Sequence, residues 1–320
     1  MLVVRLALAG DTMLGRLVAE RVAADGPASL FAPEVVEATR DADLFVLNLE
    51  CCISERGGRR AAPGKPFFFR APPAATETLR LLGVDCVTLA NNHALDYGSV
   101  ALADTLEHLA RAGVAVVGAG PDEASARRSA VLERDGFRLA VLGVSDHPAA
   151  FAAGADRPGT AFADLAHGVP KWLVHAVADA DADAVVVSSH WGPNMTPAPV
   201  RHVRDAARVL RDAGATLVAG HSAHVFQGVD DHVLYDLGDF VDDYRVDDAL
   251  RNDLGLLWLV DVDRDGPVRL EAVPLHLDFC HTALATGDEA RWIRDRFRAA
   301  CAEFGTAVAA DDGRLIIEWR

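Results

Sequence analysis

From Val3 to Ala219, short and almost wholly apolar runs alternate with segments of helical spacing. The apolar runs are Val3–Ala9, Leu44–Asn48, Cys86–Ala90, Val114–Val117, Ala184–Ser188 and Thr216–Ala219. Helical spacing follows Gly10-Asp11 through Ala23 and recurs at Ala74–Leu82, Val100–Ala112, Lys171–Ala178 and Arg201–Ala213. A strand that reads as a continuous apolar run is buried on both faces. That requires helices over a largely parallel sheet, hence βαβ units. Ala130–Leu132 and Leu139–Val144 flank Asp135-Gly136, a hairpin signal. Beyond Ala219 the pattern changes. Val225–Val229, Val233–Leu237, Leu254–Val262 and Val268–Leu277 read as strands without intervening helices, and so as antiparallel. A last helix is expected near Glu289–Glu303 and a last strand near Leu315–Trp319. The order implies two sheets packed on each other with helices outside. A layered α/β core of this kind accommodates 320 residues in one domain.

The charge narrows the function. With 31 basic against 47 acidic residues the net charge is −16, which repels nucleic acid and anionic membranes. Neither is expected as a partner. The five cysteines are odd in number and show no Cys-x-x-Cys spacing. They fit buried, reduced thiols of a cytoplasmic protein, not a disulfide framework or a thiolate zinc site. The opening MLVVRLALAGDTMLGR carries Arg5 and is too short in its apolar part for a membrane anchor, so it is expected to be a buried first strand. Residues 55–73 and 147–160 read as loops long enough to be functional. Gly118-Ala119-Gly120 opens like a dinucleotide fingerprint. Pro121 interrupts it and Glu123 holds the third glycine position, so it reads as a turn.

The chemistry sits where strands end. Gly10-Asp11, Asn48-Leu49-Glu50, Asn91-Asn92-His93, His190-Trp191-Gly192 and Gly220-His221-Ser222-Ala223-His224 each follow an apolar run. Loops at the carboxyl ends of strands in open α/β sheets meet at one edge, where sites form. Any one of these clusters has an ordinary explanation, such as a helix cap at Asp11 or a satisfied core histidine. Five together converge carboxylates, amides and imidazoles without thiolates, a donor set suited to Mn, Fe(II) or Zn. Two ions held about 3.5–4 Å apart by a shared carboxylate form the two-metal hydrolase arrangement, in which a bridging hydroxide attacks a polarised centre.

GDTMLGR, NLE, ANNHALDYG, SHWG, GHSAHVFQG and YDLGDFV resemble the CapA family of poly-γ-glutamate capsule synthesis proteins, a branch of the calcineurin-like metallophosphoesterases. The resemblance spans residues 4 to about 242. It implies a metallophosphoesterase-like four-layer α/β-β/α sandwich: one domain over residues 1–320, two mixed sheets flanked by helices, and residues 243–320 completing the second sheet and adding a helix. It implies one or two divalent ions and a metal-dependent hydrolase of a phosphoester or γ-glutamyl amide, or else a non-catalytic accessory protein of polymer assembly. By motif, Asp11 and His224 would hold the first ion and Glu50 would bridge. Asn92, His190 and His221 would hold the second. His93 would be the general acid, oriented by Asp96, whose carboxylate should raise the imidazole pKa. Arg16 and Arg70, with Lys65, are candidate holders of an anionic small-molecule or polymer substrate. The chain departs from the pattern at Met13, where the superfamily carries a histidine. It departs again at Ser222, where CapA-like chains have another histidine, and at Asp239, where they have asparagine.

Overall fold

The computed structural model describes residues 2–60 and 65–320, so positions 61–64 of the expected 55–73 loop lie outside the described residues. Strand β1 (Val4–Thr12) explains the layering. Its Leu6 and Leu8 enter a core between two sheets, whereas Ala7 and Ala9 enter a second core beneath helices. Strands β2 (Leu44–Leu49), β3 (Cys86–Thr88) and β4 (Ala115–Val117) follow in parallel, in the order β1-β2-β3-β4. Helices α1 (Arg16–Asp25), α2 (Pro33–Arg40), α3 (Ala75–Leu82) and α4 (Gly98–Ala112) cover the outer face through Val18, Val35, Leu79 and Leu102.

The second sheet contains β5 (Ala130–Arg134), β6 (Phe137–Ser145), β7 (Ala184–His190), β8 (Leu217–His221), β9 (Val229–Asp230) and β10 (Val233–Leu234), ordered β9-β10-β8-β7-β6-β5. Helices α5 (Lys171–Ala178) and α6 (Arg201–Asp212) lie on its outer face, packing Leu173, Val203 and Leu210 against Leu142, Val185 and Val187. The result is the expected four-layer α/β-β/α sandwich of two mixed sheets. Ala119–Gly120 pairs with Gly159–Thr160, and Gly118 has φ +80°, a turn as read from the sequence. Among the described residues no helix is long and apolar enough to cross a membrane.

The C-terminal strands depart from expectation. β11 (Asp239–Val241), β12 (Leu254–Asp263), β13 (Gly266–Leu277), β14 (Thr282–Leu284), β15 (Ala309–Asp311) and β16 (Arg314–Glu318) all extend the first sheet, not the second. The cause is β12, which is apolar on both faces. Leu256, Trp258 and Val260 face the inter-sheet core, and Leu257 and Leu259 the other side. It therefore fits beside doubly buried β1, pairing antiparallel with Leu6 opposite Val260. Val225–Val229 and Val233–Leu237 shrink to the two-residue β9 and β10, and β10 runs parallel to β8. Helix α7 (Gly287–Ala302) inserts Ile293 and Phe297 into the inter-sheet core, with the Phe297 ring 5.4 Å from that of Trp258.

The two sheets approach closely near Gly143 on β6. A Cβ there would lie 2.6 Å from Thr88 Oγ1 and 2.8 Å from Gly118 Cα on the facing sheet. Overpacking at such a contact costs about 1–3 kcal/mol. Gly143→Ala should lower the urea midpoint accordingly, with an unchanged m-value.

Candidate metal centre

The carboxyl ends of β1, β2, β7 and β8 meet at the seam between the sheets. Asp11 lies opposite Asn48 of β2 and Asp239 of β11, and His190 lies opposite His221. The backbone N–H of Asp11 donates to Gly238 O at 2.9 Å, and a Cβ on Gly10 would strike that carbonyl. From the other sheet, the Ser222 N–H donates to Asp11 Oδ2 at 3.2 Å. Asp236 fastens the same loop, accepting from Ala223 N at 2.8 Å and Gly238 N at 2.9 Å.

Two groups of ligand-type atoms result, each with all members within 4.8 Å of one another. One is Asp11, His190 and His221. The other is Asp11, Glu50, His224 and Asp239. All six side chains are buried. The sequence made Glu50 the shared carboxylate. In the structure Asp11 is common to both groups, because the end of β1 lies between β2 and β11 and beneath the Ser222 loop. Asp239, a member of the second group, was not among the expected ligands. Its signal was present in the sequence, since Gly238-Asp239 repeats the Gly10-Asp11 signature beyond an apolar run. Its partner was not legible, because the β1–β11 pairing joins segments far apart in the chain.

Neighbours orient these donors. Asn48 Nδ2 donates to Asp11 Oδ1 at 2.6 Å, and Asn91 Nδ2 donates to Asn48 Oδ1 at 2.9 Å. Ser188 Oγ sits 3.0 Å from His221 Nε2, which turns His221 Nδ1 toward His190 Nδ1 at 2.8 Å. His224 Nδ1 lies 2.8 Å from Asp239 Oδ1 and 3.2 Å from Asp11 Oδ2. Among the described residues several buried atoms find no hydrogen-bond partner, including both Glu50 carboxylate oxygens, Asp239 Oδ2, His190 Nε2 and Asn92 Oδ1. Asn92 thus presents its amide oxygen, while Asn91 is occupied in structure.

Burial lifts the Glu50 carboxyl well above its usual range, and the Asp11 charge adds to this. Burial likewise lifts Asp239. It would lift Asp11 too, but the bond to His224, the His224 and His221 charges and the bond from Asn48 bring that carboxyl below its usual range. Burial holds His221 down at about 4 and His190 well below neutrality. Burial opposes protonation of His224 as well, yet Asp239, Glu50 and Asp11 overcome it and hold the ring strongly basic.

His93 Nδ1 is 2.6 Å from Asp96 Oδ2, and its Nε2 faces Glu50 Oε1 at 3.7 Å. Asp96 also accepts from Phe69 N at 2.7 Å and pairs with Lys65 Nζ at 2.5 Å. The expected rise in the His93 pKa does not follow. Burial, with the ring centroid 3.9 Å from that of Phe69, outweighs Asp96 and sets it at about 4. Arg16 lines a cavity of about 770 Å³ opening beside His93 and His224. Its Nε pairs with Asp243 at 3.1 Å and its guanidinium lies 5.2 Å from the exposed Phe67 ring. Arg70 is not brought to this cavity. Its guanidinium stacks 4.2 Å over Tyr97 and donates to the carbonyls of Arg56 and Gly57.

The sequence model of the family described as "Bacterial capsule synthesis protein PGA_cap" matches residues 5–244. A relative from Mycobacterium tuberculosis, named as a probable polyglutamine synthesis accessory protein, is 33% identical over 86% of this chain and 76% of its own. The Bacillus subtilis PGA biosynthesis protein CapA is 28% identical over 97% of this chain and 80% of its own. Among solved structures, a 5'-nucleotidase from Candida albicans aligns over 86% of this chain and 52% of that one at 12% identity, with a TM-score of 0.46.

A buried ionised carboxylate without donors opposes folding. With its folded pKa raised, Glu50 imposes no cost below its ordinary 4.5 and a growing one as the pH rises and it must either stay protonated or ionise unpaired. Glu50→Gln should therefore raise the melting temperature of the EDTA-treated protein at pH 7 by a few degrees, about 1–2 kcal/mol. The gain should shrink as the pH falls toward 4.5. Calorimetry of both proteins across pH checks this, and an unchanged or lower melting temperature at pH 7 refutes it.

Proposed function

The chain belongs to the bacterial capsule synthesis protein family PGA_cap, and from that premise we propose that it is a divalent-metal-dependent hydrolase of phosphoester or γ-glutamyl amide bonds. One observation carries the reading: Glu50, Asp239 and His190 gather about Asp11, and among the described residues both Glu50 oxygens, Asp239 Oδ2 and His190 Nε2 find no hydrogen-bond partner. Cations satisfy such groups, and a set of carboxylates and imidazoles without thiolates suits Mn, Fe(II) or Zn. Asp11, His190 and His221, with the Asn92 amide oxygen, would hold one ion. Asp11, Glu50, His224 and Asp239 would hold the other. Bound there, such ions supply Lewis acidity and an activated water at neutral pH.

The chain's own groups supply the rest. Asp96 fixes His93 through Nδ1, and with the ring neutral at pH 7 its Nε2 faces the centre as a base able to take a proton from an attacking water. Lys65 neutralises Asp96 and ties the loop before Phe69 to the Asn92 carbonyl. Arg16, anchored by Asp243 in the cavity wall, offers a cation to an anionic substrate. A second reading, a metal-binding accessory of polymer assembly without turnover, is favoured by the relatives' names.

The test is hydrolysis of bis-p-nitrophenyl phosphate, p-nitrophenyl phosphate and γ-glutamyl-p-nitroanilide by EDTA-treated and metal-replete protein. The hydrolase reading expects turnover of at least one substrate by the replete protein alone. His93→Gln should then lower kcat by about 10²–10⁴ at unchanged metal content. His190→Ala should lose activity together with bound metal while still unfolding cooperatively. A replete protein inert toward all three substrates favours the accessory reading.

A further inference from the structure

We infer that Asp239 is a metal ligand of this centre, and that it makes the two ion positions chemically unequal: one oxygen-rich and suited to a harder cation such as Mn²⁺, the other imidazole-rich and suited to Zn²⁺. The inference rests on the metal reading above. The first position draws on Asp11, Glu50, Asp239 and His224, three carboxylates and one imidazole. The second draws on Asp11, His190 and His221, one carboxylate and two imidazoles. Carboxylate and carbonyl oxygens favour Mg, Ca and Mn, whereas imidazole favours Zn, Cu, Fe and Ni.

Asp239 is placed for this role by backbone, not by a mobile side chain. It stands directly opposite Asp11 in the β1–β11 ladder, and the residue is 2% exposed. Its Oδ1 engages His224 Nδ1 at 2.8 Å, while Oδ2 has no hydrogen-bond donor. A structural aspartate buried to this degree would be expected to accept on both oxygens, as Asp236 does. The neighbouring Met13 is also buried, and its sulfur accepts from Gly15 N at 3.1 Å, so the thioether is spoken for. With the Met13 thioether engaged, Asp239 Oδ2 is free to coordinate, beside Asp242 Oδ2, which is also unpartnered among the described residues.

The experiment loads the metal-free protein with one Zn²⁺ per chain and titrates it with Mn²⁺, reading free Mn²⁺ by electron paramagnetic resonance and total metal by elemental analysis. The wild type should take one Mn²⁺ alongside the retained Zn²⁺. Asp239→Asn should weaken Mn²⁺ by tenfold or more and keep the Zn²⁺. Asp239→His should weaken Mn²⁺ and admit a second Zn²⁺, which distinguishes lost ligation from lost folding. Circular dichroism checks both variants. Equal Mn²⁺ affinity in the wild type and Asp239→Asn, or Mn²⁺ displacing Zn²⁺ from the wild type, overturns the inference and leaves the two-ion reading standing. A wild type that binds neither ion removes both.

Discussion

Asp11 is the residue through which the two halves of the sandwich speak to one another. In its own sheet it is flanked by Asn48 and Asp239, and its oxygens receive hydrogen bonds from Asn48 and from the Ser222 backbone of the opposite sheet. A buried carboxylate in this position tolerates little displacement, since each oxygen has a defined donor or imidazole neighbour. The close backbone approach at Gly10 and the Asp236 clamp on Ala223 and Gly238 hold the strand ends that present it.

The rest of the centre inverts the usual rule for protein interiors. Buried polar atoms normally find partners, and among the described residues both Glu50 oxygens, Asp239 Oδ2 and His190 Nε2 do not. The surrounding apolar cores are what make such a cluster tolerable. The inter-sheet core around Trp258 and the two helix-covered cores supply stability that a donor-poor carboxylate cluster opposes. A site assembled on strand ends also inherits their rigidity, so its ligand-type atoms are held in place by the fold itself.

Much of this was legible in the sequence. The doubly buried strands announced themselves as unbroken apolar runs, and five polar clusters at their ends named Asp11, Glu50, Asn92, His190, His221 and His224. Arg70 lies away from the cavity, and a lone arginine in a loop carries no signal of whether it faces a cavity or, as here, stacks on Tyr97. The pKa of His93 was misjudged for a related reason. The nearby Asp96 is visible in sequence, but the burial that outweighs it is not.

The sequence by itself determined the layered architecture and the chemical type of the centre, since hydrophobic period and ligand residue types are local properties of the chain. Only the tertiary structure decided which sheet received the C-terminal strands, that Asp11 and not Glu50 is shared between the two groups, and that Asp239 joins them. These are matters of pairing between segments as distant as Asp11 and Asp239. Strand pairing is settled by which edge can bury both faces of a strand, a condition that exists only once the neighbouring layers are in place.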